Sequence, residues 1–257
     1  MDDSFALQVC QLTVNYDKTP VLWDVTVDIP KGVSVGIIGP NGAGKTTFLK
    51  AALSLLKPLS GKVRFFGESL SKVRKRVAYV PQRATVDWDF PIRVKDLVLM
   101  GRYGKLGPLR WPRRADVVAA HQYLEMVGME QYATRQIKQL SGGQQQRVFI
   151  ARALMQQADF YFMDEPFAGI DMASEKTLVE LFHELQKQGK TICAVHHDLN
   201  TVDSYFDWTL VLNMRLIAAG PTKEVFNATN LNAAYGKSYA LFDETLRRSL
   251  SQTTGIK

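Results

Sequence analysis

Cysteine is almost missing: there are two in 257 residues, Cys10 and Cys193, each inside a strand-like apolar run. Two such residues cannot build a disulfide framework, so the expectation is buried free thiols in a reducing compartment. Histidine is nearly as scarce, with four residues, which leaves no cysteine and histidine cluster to hold a metal. No run of 18 apolar residues occurs, which excludes a membrane-spanning helix. The first residues, MDDSFALQVC, begin acidic and put no basic region ahead of an apolar one, so an export signal is not expected either. Internal repeats, low-complexity tracts and coiled-coil heptads are also absent.

What is present suffices for a folded core. Hydrophobic residues make up 46% of the chain, enough for one large domain or a core with a smaller inserted subdomain. The net charge of +7 comes largely from Lys72, Arg74, Lys75 and Arg76 and from Arg110, Arg113 and Arg114. Neither cluster has the interleaved aromatics of a single-strand binding platform, so both read as solvated faces and nucleic acid is not an expected partner.

The chemistry begins at VSVGIIGPNGAGKTTFLKAALSLL, residues 33–56. A short apolar run without helical periodicity, a glycine loop and a good helix former give strand, loop and helix, with the helix expected over 45–56. The loop matches the phosphate-binding pattern G-x-x-x-x-G-K-[ST] in the context that pattern requires. Its backbone N–H groups, from Gly39, Pro40, Asn41, Gly42, Ala43 and Gly44 into Lys45, Thr46 and Thr47, would close around phosphates at a helix N-terminus; Pro40 lends shape and no donor. Lys45 should reach the β- and γ-phosphates, and the Thr46 hydroxyl should serve Mg²⁺.

A second apolar strand, FYFMDEP at 160–166, ends in two acids. A carboxylate closing a buried strand needs a cation or a task. Asp164 fits the residue that supports Mg²⁺, and Glu165 stands where a base could deprotonate an attacking water. Upstream, Ser141 followed by Gln144 reads as a capping box that starts a helix. Gly142 and Gly143 in that first turn weaken it by about 1 kcal/mol each, which makes sense if an anion approaches the backbone. Two anion-binding helix starts with parts for one nucleotide site imply that the second serves a partner's nucleotide.

The phosphate loop, then LSGGQ at 140–144, then FYFMDE, resembles the ATP-binding cassette (ABC) ATPases over about residues 6–220. That resemblance implies an α/β fold: a phosphate-loop NTPase core, an N-terminal antiparallel β-subdomain, and an inserted helical signature subdomain at about 84–152. The whole chain, 1–257, would be one such domain with a tail from about 221. It further implies ATP and Mg²⁺ held between head-to-tail protomers, each ATP between one phosphate loop and the other chain's Ser141, Gly142, Gly143 and Gln144. By the same resemblance Tyr16 stacks on adenine and Gln82 of YVPQR reaches Mg²⁺ and the water. Asp171 of GIDM crosses to the other protomer, with Ile170 standing where the family more often has Leu. His197, just before Asp198, would be the γ-phosphate contact.

His196 and His197 sit in TICAVHHDLN, read as a strand in which neighbours point to opposite faces; they are therefore not a metal pair, and His196 is assigned packing or hydrogen bonding. The tail after 221 is expected to be loose helix with fraying. VDWDFPIRVKDLVLMGRYG, residues 86–104, falls where ABC transporter ATPases receive a helix of an integral membrane permease, with Trp88, Phe90 and Tyr103 as anchors. Soluble members acting in DNA repair or translation carry long coiled-coil insertions or a second cassette, and a small-molecule kinase would leave the signature unexplained. VPQR, DWDFP, MGRYG and HHDL together resemble the ATPases of bacterial manganese and zinc importers, a branch with iron systems in it. An ATPase at the cytoplasmic face of the cell membrane, with an extracytoplasmic metal-binding protein acting indirectly, is what that likeness implies.

Overall fold

The computed structural model describes residues 4–16, 19–86, 88–107 and 110–236. Its strands are β1 (Phe5–Tyr16), β2 (Thr19–Pro30), β3 (Ser34–Ile38), β4 (Ser60–Phe65), β5 (Val77–Val80), β6 (Phe160–Asp164), β7 (Thr191–Val195), β8 (Trp208–Asn213) and β9 (Arg215–Pro221). Its longer helices are α1 (Lys45–Ala52), α2 (Val94–Leu99), α3 (Arg114–Met126), α4 (Gly142–Met155), α5 (Met172–Lys187) and α6 (Ala228–Tyr235). Three strands form an antiparallel sheet in the order β2-β1-β4, and six form a second sheet in the order β5-β6-β7-β3-β8-β9. All neighbours in the second sheet run parallel except β8 and β9.

The parallel strands are apolar at nearly every position because both faces are covered. β6 sends Phe160 and Phe162 to one side and Tyr161 and Met163 to the other, and β7 divides Cys193 and Val195 from Ile192 and Ala194 in the same way. The first side is closed by the antiparallel sheet and α1, and the second by α2, α3, α4 and α5. β1 instead alternates, with Leu7, Val9, Leu12 and Val14 buried and Cys10 turned out. The two cysteines therefore differ. Cys193 is buried, and burial pushes its thiol pKa up, whereas Cys10, expected to be buried, lies on the solvated face of an antiparallel sheet.

Two further expectations are corrected. The helix from Lys45 ends at Ala52 rather than 56: Ser54 adopts φ 55°, and the N–H groups of Leu55 and Leu56 turn back to the Lys50 carbonyl at 2.8 and 3.2 Å. Pro58 disfavours helical geometry just before it and reinforces the stop. The stretch after 221 does not fray at once. Leu231 and Ala234 of α6 are buried and Asn213 Nδ2 donates to the Ala234 carbonyl at 2.9 Å; the remainder of the expected loose tail, from 237, lies outside the described residues. Among the described residues no helix is long and apolar enough to cross a membrane.

Phe65, Phe160 and Phe162 join the two sheets, with ring centroids 5.4, 6.1 and 4.8 Å apart in edge-on pairs. Phe160→Ala is expected to lower unfolding free energy by about 3–5 kcal/mol in urea titration. A loss below about 1 kcal/mol would remove the cluster from that role.

Candidate functional site

Parallel pairing places the carboxyl ends of β3, β6 and β7 on one edge, where Ile37 and Asp164 each pair with Val195. The glycine loop leaves β3 at this edge. Gly44 caps α1 at φ 90°, and a Cβ there would lie 2.8 Å from the Val21 carbonyl oxygen, so only glycine lets β2 pass so close. The loop is also stitched from its other side: Met214 N–H donates to Ala43 O at 3.0 Å, and Trp23 N–H to Met214 O at 2.8 Å. Tyr16 stands at the β1–β2 hairpin end, 46% exposed.

Lys45 is buried, and its ammonium donates to the carbonyls of Gly39 at 2.7 Å and Pro40 at 2.9 Å, inside the curve of the loop. Burial lowers its pKa, opposed by the charges of Glu165 and Asp164. Asp164 is fully buried at the end of β6. Its Oδ1 accepts from the Thr46 hydroxyl at 3.0 Å, while the buried Oδ2 has no protein partner. Burial raises the Asp164 pKa, the Thr46 hydrogen bond opposes this, and Glu165 adds to it. Hard oxygen donors, one of them without a partner, suit Mg²⁺, and a cation at Oδ2 would relieve the cost of burial. Glu165 turns the chain at φ 54°, a left-handed conformation that costs a non-glycine residue about 1 kcal/mol or more. Gln82 Nε2 donates to its Oε2 at 3.0 Å.

Asp171 caps α5, accepting from Ser174 N at 2.9 Å and Ser174 Oγ at 2.8 Å. Ser141 caps α4 with the expected box: its N–H donates to Gln144 Oε1 at 2.9 Å, and Gln144 N–H to its Oγ at 3.4 Å. The closest approach to the signature glycines comes from within the chain. A Cβ on Gly143 would lie 2.4 Å from the Gly169 carbonyl oxygen, so the glycine is required by the loop that follows Glu165; a Cβ on Gly142 would meet the Arg83 guanidinium at 3.0 Å. The sequence reading assigns that close approach to an anion; the structure places the Gly169 carbonyl and the Arg83 guanidinium there.

His196 and His197 lie past the end of β7, so the strand-face argument does not apply to them. They still part company: His197 is exposed, while His196 is buried, with Nε2 2.7 Å from Thr201 Oγ1 and rings of Phe167, Tyr205 and Phe206 at 5.3–5.8 Å. Sequence reasoning missed this aromatic surround, because nothing in the spacing of 167 and 205 announces their meeting. Among the described residues, no cluster of three or more His, Cys, Asp or Glu is placed to hold a metal ion.

Trp88, Phe90, Leu97 and Met100, together with Ile137 and Phe149 from outside the 86–104 stretch, line an apolar groove of about 260 Å³ that Tyr103 does not reach. Phe90 and Tyr103 are exposed. Trp88 is instead a wall, half-buried, its ring 4.9 Å from Phe149.

Residues 22–168, from β2 through the phosphate loop and signature helix to just past Glu165, match the profile of the ABC transporter family. The chain belongs to that family. It is 54% identical over 232 residues to the manganese transport system ATP-binding protein MntB of Bacillus subtilis, covering 90% of this chain and 93% of that one. It is 55% identical over 233 residues to the zinc transport system ATP-binding protein TroB of Treponema pallidum, covering 91% and 88%. An inward-facing metal-chelate type ABC transporter superposes with TM-score 0.78 at 29% identity, covering 90% of this chain and 89% of the other. The ABC ATPase fold, with its β-subdomain and helical part, is the one seen here.

Burial lowers the His196 pKa to about 4, with the neighbouring His197 adding to the effect. An unfolded histidine binds a proton below about pH 6.5, so stability should fall as pH drops from about 6.5 to 4, by about 3 kcal/mol at most from this group. His196→Phe should show a shallower decline over that window in urea midpoints measured against pH; parallel curves would contradict the assignment.

Proposed function

We propose that this chain is the ATP-hydrolysing subunit of a membrane importer of divalent metal ions, manganese or zinc, acting as a head-to-tail dimer on the cytoplasmic face. The observation that carries the reading is the joined pair of contacts Thr46–Asp164 and Gln82–Glu165, which ties the phosphate loop to the end of β6 and the turn after β6 to the loop after β5. Glycine-loop N–H groups from Gly39 to Thr47, apart from that of Pro40, and the Lys45 ammonium hold the triphosphate, and Tyr16 stacks on adenine. Thr46, Asp164 and Gln82 hold Mg²⁺, which supplies neutralisation of charge on the phosphate oxygens. Glu165 takes the proton of the attacking water, with Gln82 holding its carboxylate in place, and His197 contacts the γ-phosphate. Ser141, Gly142, Gly143, Gln144 and Asp171 face the nucleotide of the partner protomer.

The groove receives a segment of the integral permease. The metal is suggested by the manganese and zinc systems among the relatives, and an extracytoplasmic binding protein and the permease handle it; this chain supplies force and touches no cargo. ATP drives closure of two protomers and hydrolysis reopens them. No nucleic acid takes part.

Glu165→Gln in the assembled complex should retain ATP binding while turnover falls by about 10² or more, and Lys45→Ala should weaken nucleotide binding itself. Near-normal turnover of the glutamine variant would remove Glu165 from the role of base. Deleting the chain should lower cellular accumulation of manganese or zinc, and restoring it as Glu165→Gln should not rescue. Unchanged uptake of manganese, zinc and iron in a cell without a redundant importer would defeat the cargo assignment and leave ATP hydrolysis standing.

A further inference from the structure

The last helix among the described residues ends against the base of the phosphate loop. α6 is held there by Asn213 at the end of β8, whose Nδ2 donates to the Ala234 carbonyl at 2.9 Å, and Gly236 stops the helix just after Tyr235 by turning at φ 56°. β8 pairs in parallel with β3, so Leu212, one residue before Asn213, lies beside the glycine that follows Ile38: a Cβ on Gly39 would collide with the Leu212 carbonyl oxygen. Tyr235 thereby reaches the first glycine of the loop.

The Tyr235 ring packs on the core, yet its hydroxyl oxygen is shut off from water and has no hydrogen-bond partner among the described residues. The polar group turned toward it is the Gly39 N–H. Burial pushes the phenol pKa up to about 12, and that amide opposes the shift. A buried hydroxyl left unpaired is costly, and a phenylalanine would fill the same space without the cost. Gly39 is also where the loop holds its lysine, since its carbonyl accepts from the Lys45 ammonium at 2.7 Å. One glycine thus carries the lysine on its carbonyl and faces the tyrosine with its N–H.

We propose that Tyr235 is a positioning residue of the nucleotide site: its hydroxyl takes the Gly39 N–H as the phosphate loop closes on a triphosphate, so that α6 fixes the base of the loop and through it the Lys45 ammonium. This rests on the ATP site proposed above, and Tyr235 itself touches no nucleotide. The shift of a single peptide pairs the hydroxyl, and ATP binding gains that hydrogen bond. By reciprocity, whatever displaces α6 weakens ATP binding, so the last helix bears on the affinity of the phosphate loop.

The test is a calorimetric titration of the full chain with the slowly hydrolysed MgATPγS, together with ATP turnover of the complex purified with its permease, for wild type, Tyr235→Phe, Asn213→Ala and the double variant. Tyr235→Phe should weaken nucleotide binding about fivefold, the scale of one hydrogen bond, and raise KM for ATP to match, with kcat within about twofold of wild type. Its melting midpoint without nucleotide should equal that of wild type or exceed it, because an unpaired buried hydroxyl has been removed; a role in packing alone would leave affinity untouched. Asn213→Ala, which releases α6, should weaken binding to a similar extent, and the double variant should bind no more weakly than the weaker single. An affinity for Tyr235→Phe within about twofold of wild type overturns the proposal, as does a loss accompanied by a lower midpoint, a fall in kcat at unchanged KM, or losses that multiply in the double variant. Should Tyr235→Phe fail to fold, Asn213→Ala decides by the same split between KM and kcat. Lys45→Ala in the same titration keeps the readings apart: wild-type affinity in that variant overturns the nucleotide site itself.

Discussion

A carboxylate at the end of a fully buried strand is the constraint around which the site is arranged. β6 is apolar and enclosed on both faces, so Asp164 arrives at the strand end already stripped of water. One of its oxygens is satisfied by Thr46 from the first turn of α1. That contact spans 118 residues and fixes the phosphate loop against the second acidic strand. Lys45 answers the same burial from the other side, its ammonium tied to loop carbonyls while the charges of Asp164 and Glu165 favour its protonated form. The second oxygen of Asp164 is left without a protein partner.

The parallel sheet turns this local need into a site. With β7 between β6 and β3, every loop leaving the carboxyl edge comes to one place, so the glycine loop, the turn at Glu165 and the histidine turn gather there. Backbone geometry then tightens the assembly: Glu165 reverses at positive φ, and Gly143 lets the chain at Gly169 lie against α4. The helix start that serves a second nucleotide in this reading is therefore braced by the loop after the base. Beyond it, Arg83 and Gln145 connect the same helix to Trp88 and Ile137, two residues of the apolar groove's lining.

Motifs that depend on local chain geometry were legible from the residues. GPNGAGKT announces a strand, a loop and a helix start because phosphate binding needs glycine and helix N–H groups in that order. The Ser141 box announces a helix start because its two hydrogen bonds close within four residues. Cys10 was misread because whether a strand's outer face is covered depends on neighbours remote in sequence; the helix end at Ala52 is local, set by the left-handed Ser54 and hydrogen bonds back to Lys50. The histidine pair shows the mixture: the roles separated as read, yet the turn after β7 and an aromatic surround drawn from 167, 205 and 206 separate them, not opposite faces of a strand.

The sequence by itself determined the family, the order of strands and helices around the phosphate loop, and the residue types gathered at the candidate site, since those follow from short-range spacing and from the chemistry each side chain can perform. Only the tertiary structure decided which groups share a hydrogen bond. Thr46 with Asp164, Gln82 with Glu165, and Arg83 with Gln145 join residues 62 to 118 positions apart. No local pattern encodes such pairs. They exist because strands covered on both faces stack in an order the chain reaches only by crossing over, and because each buried polar group left at a strand end must find a partner there.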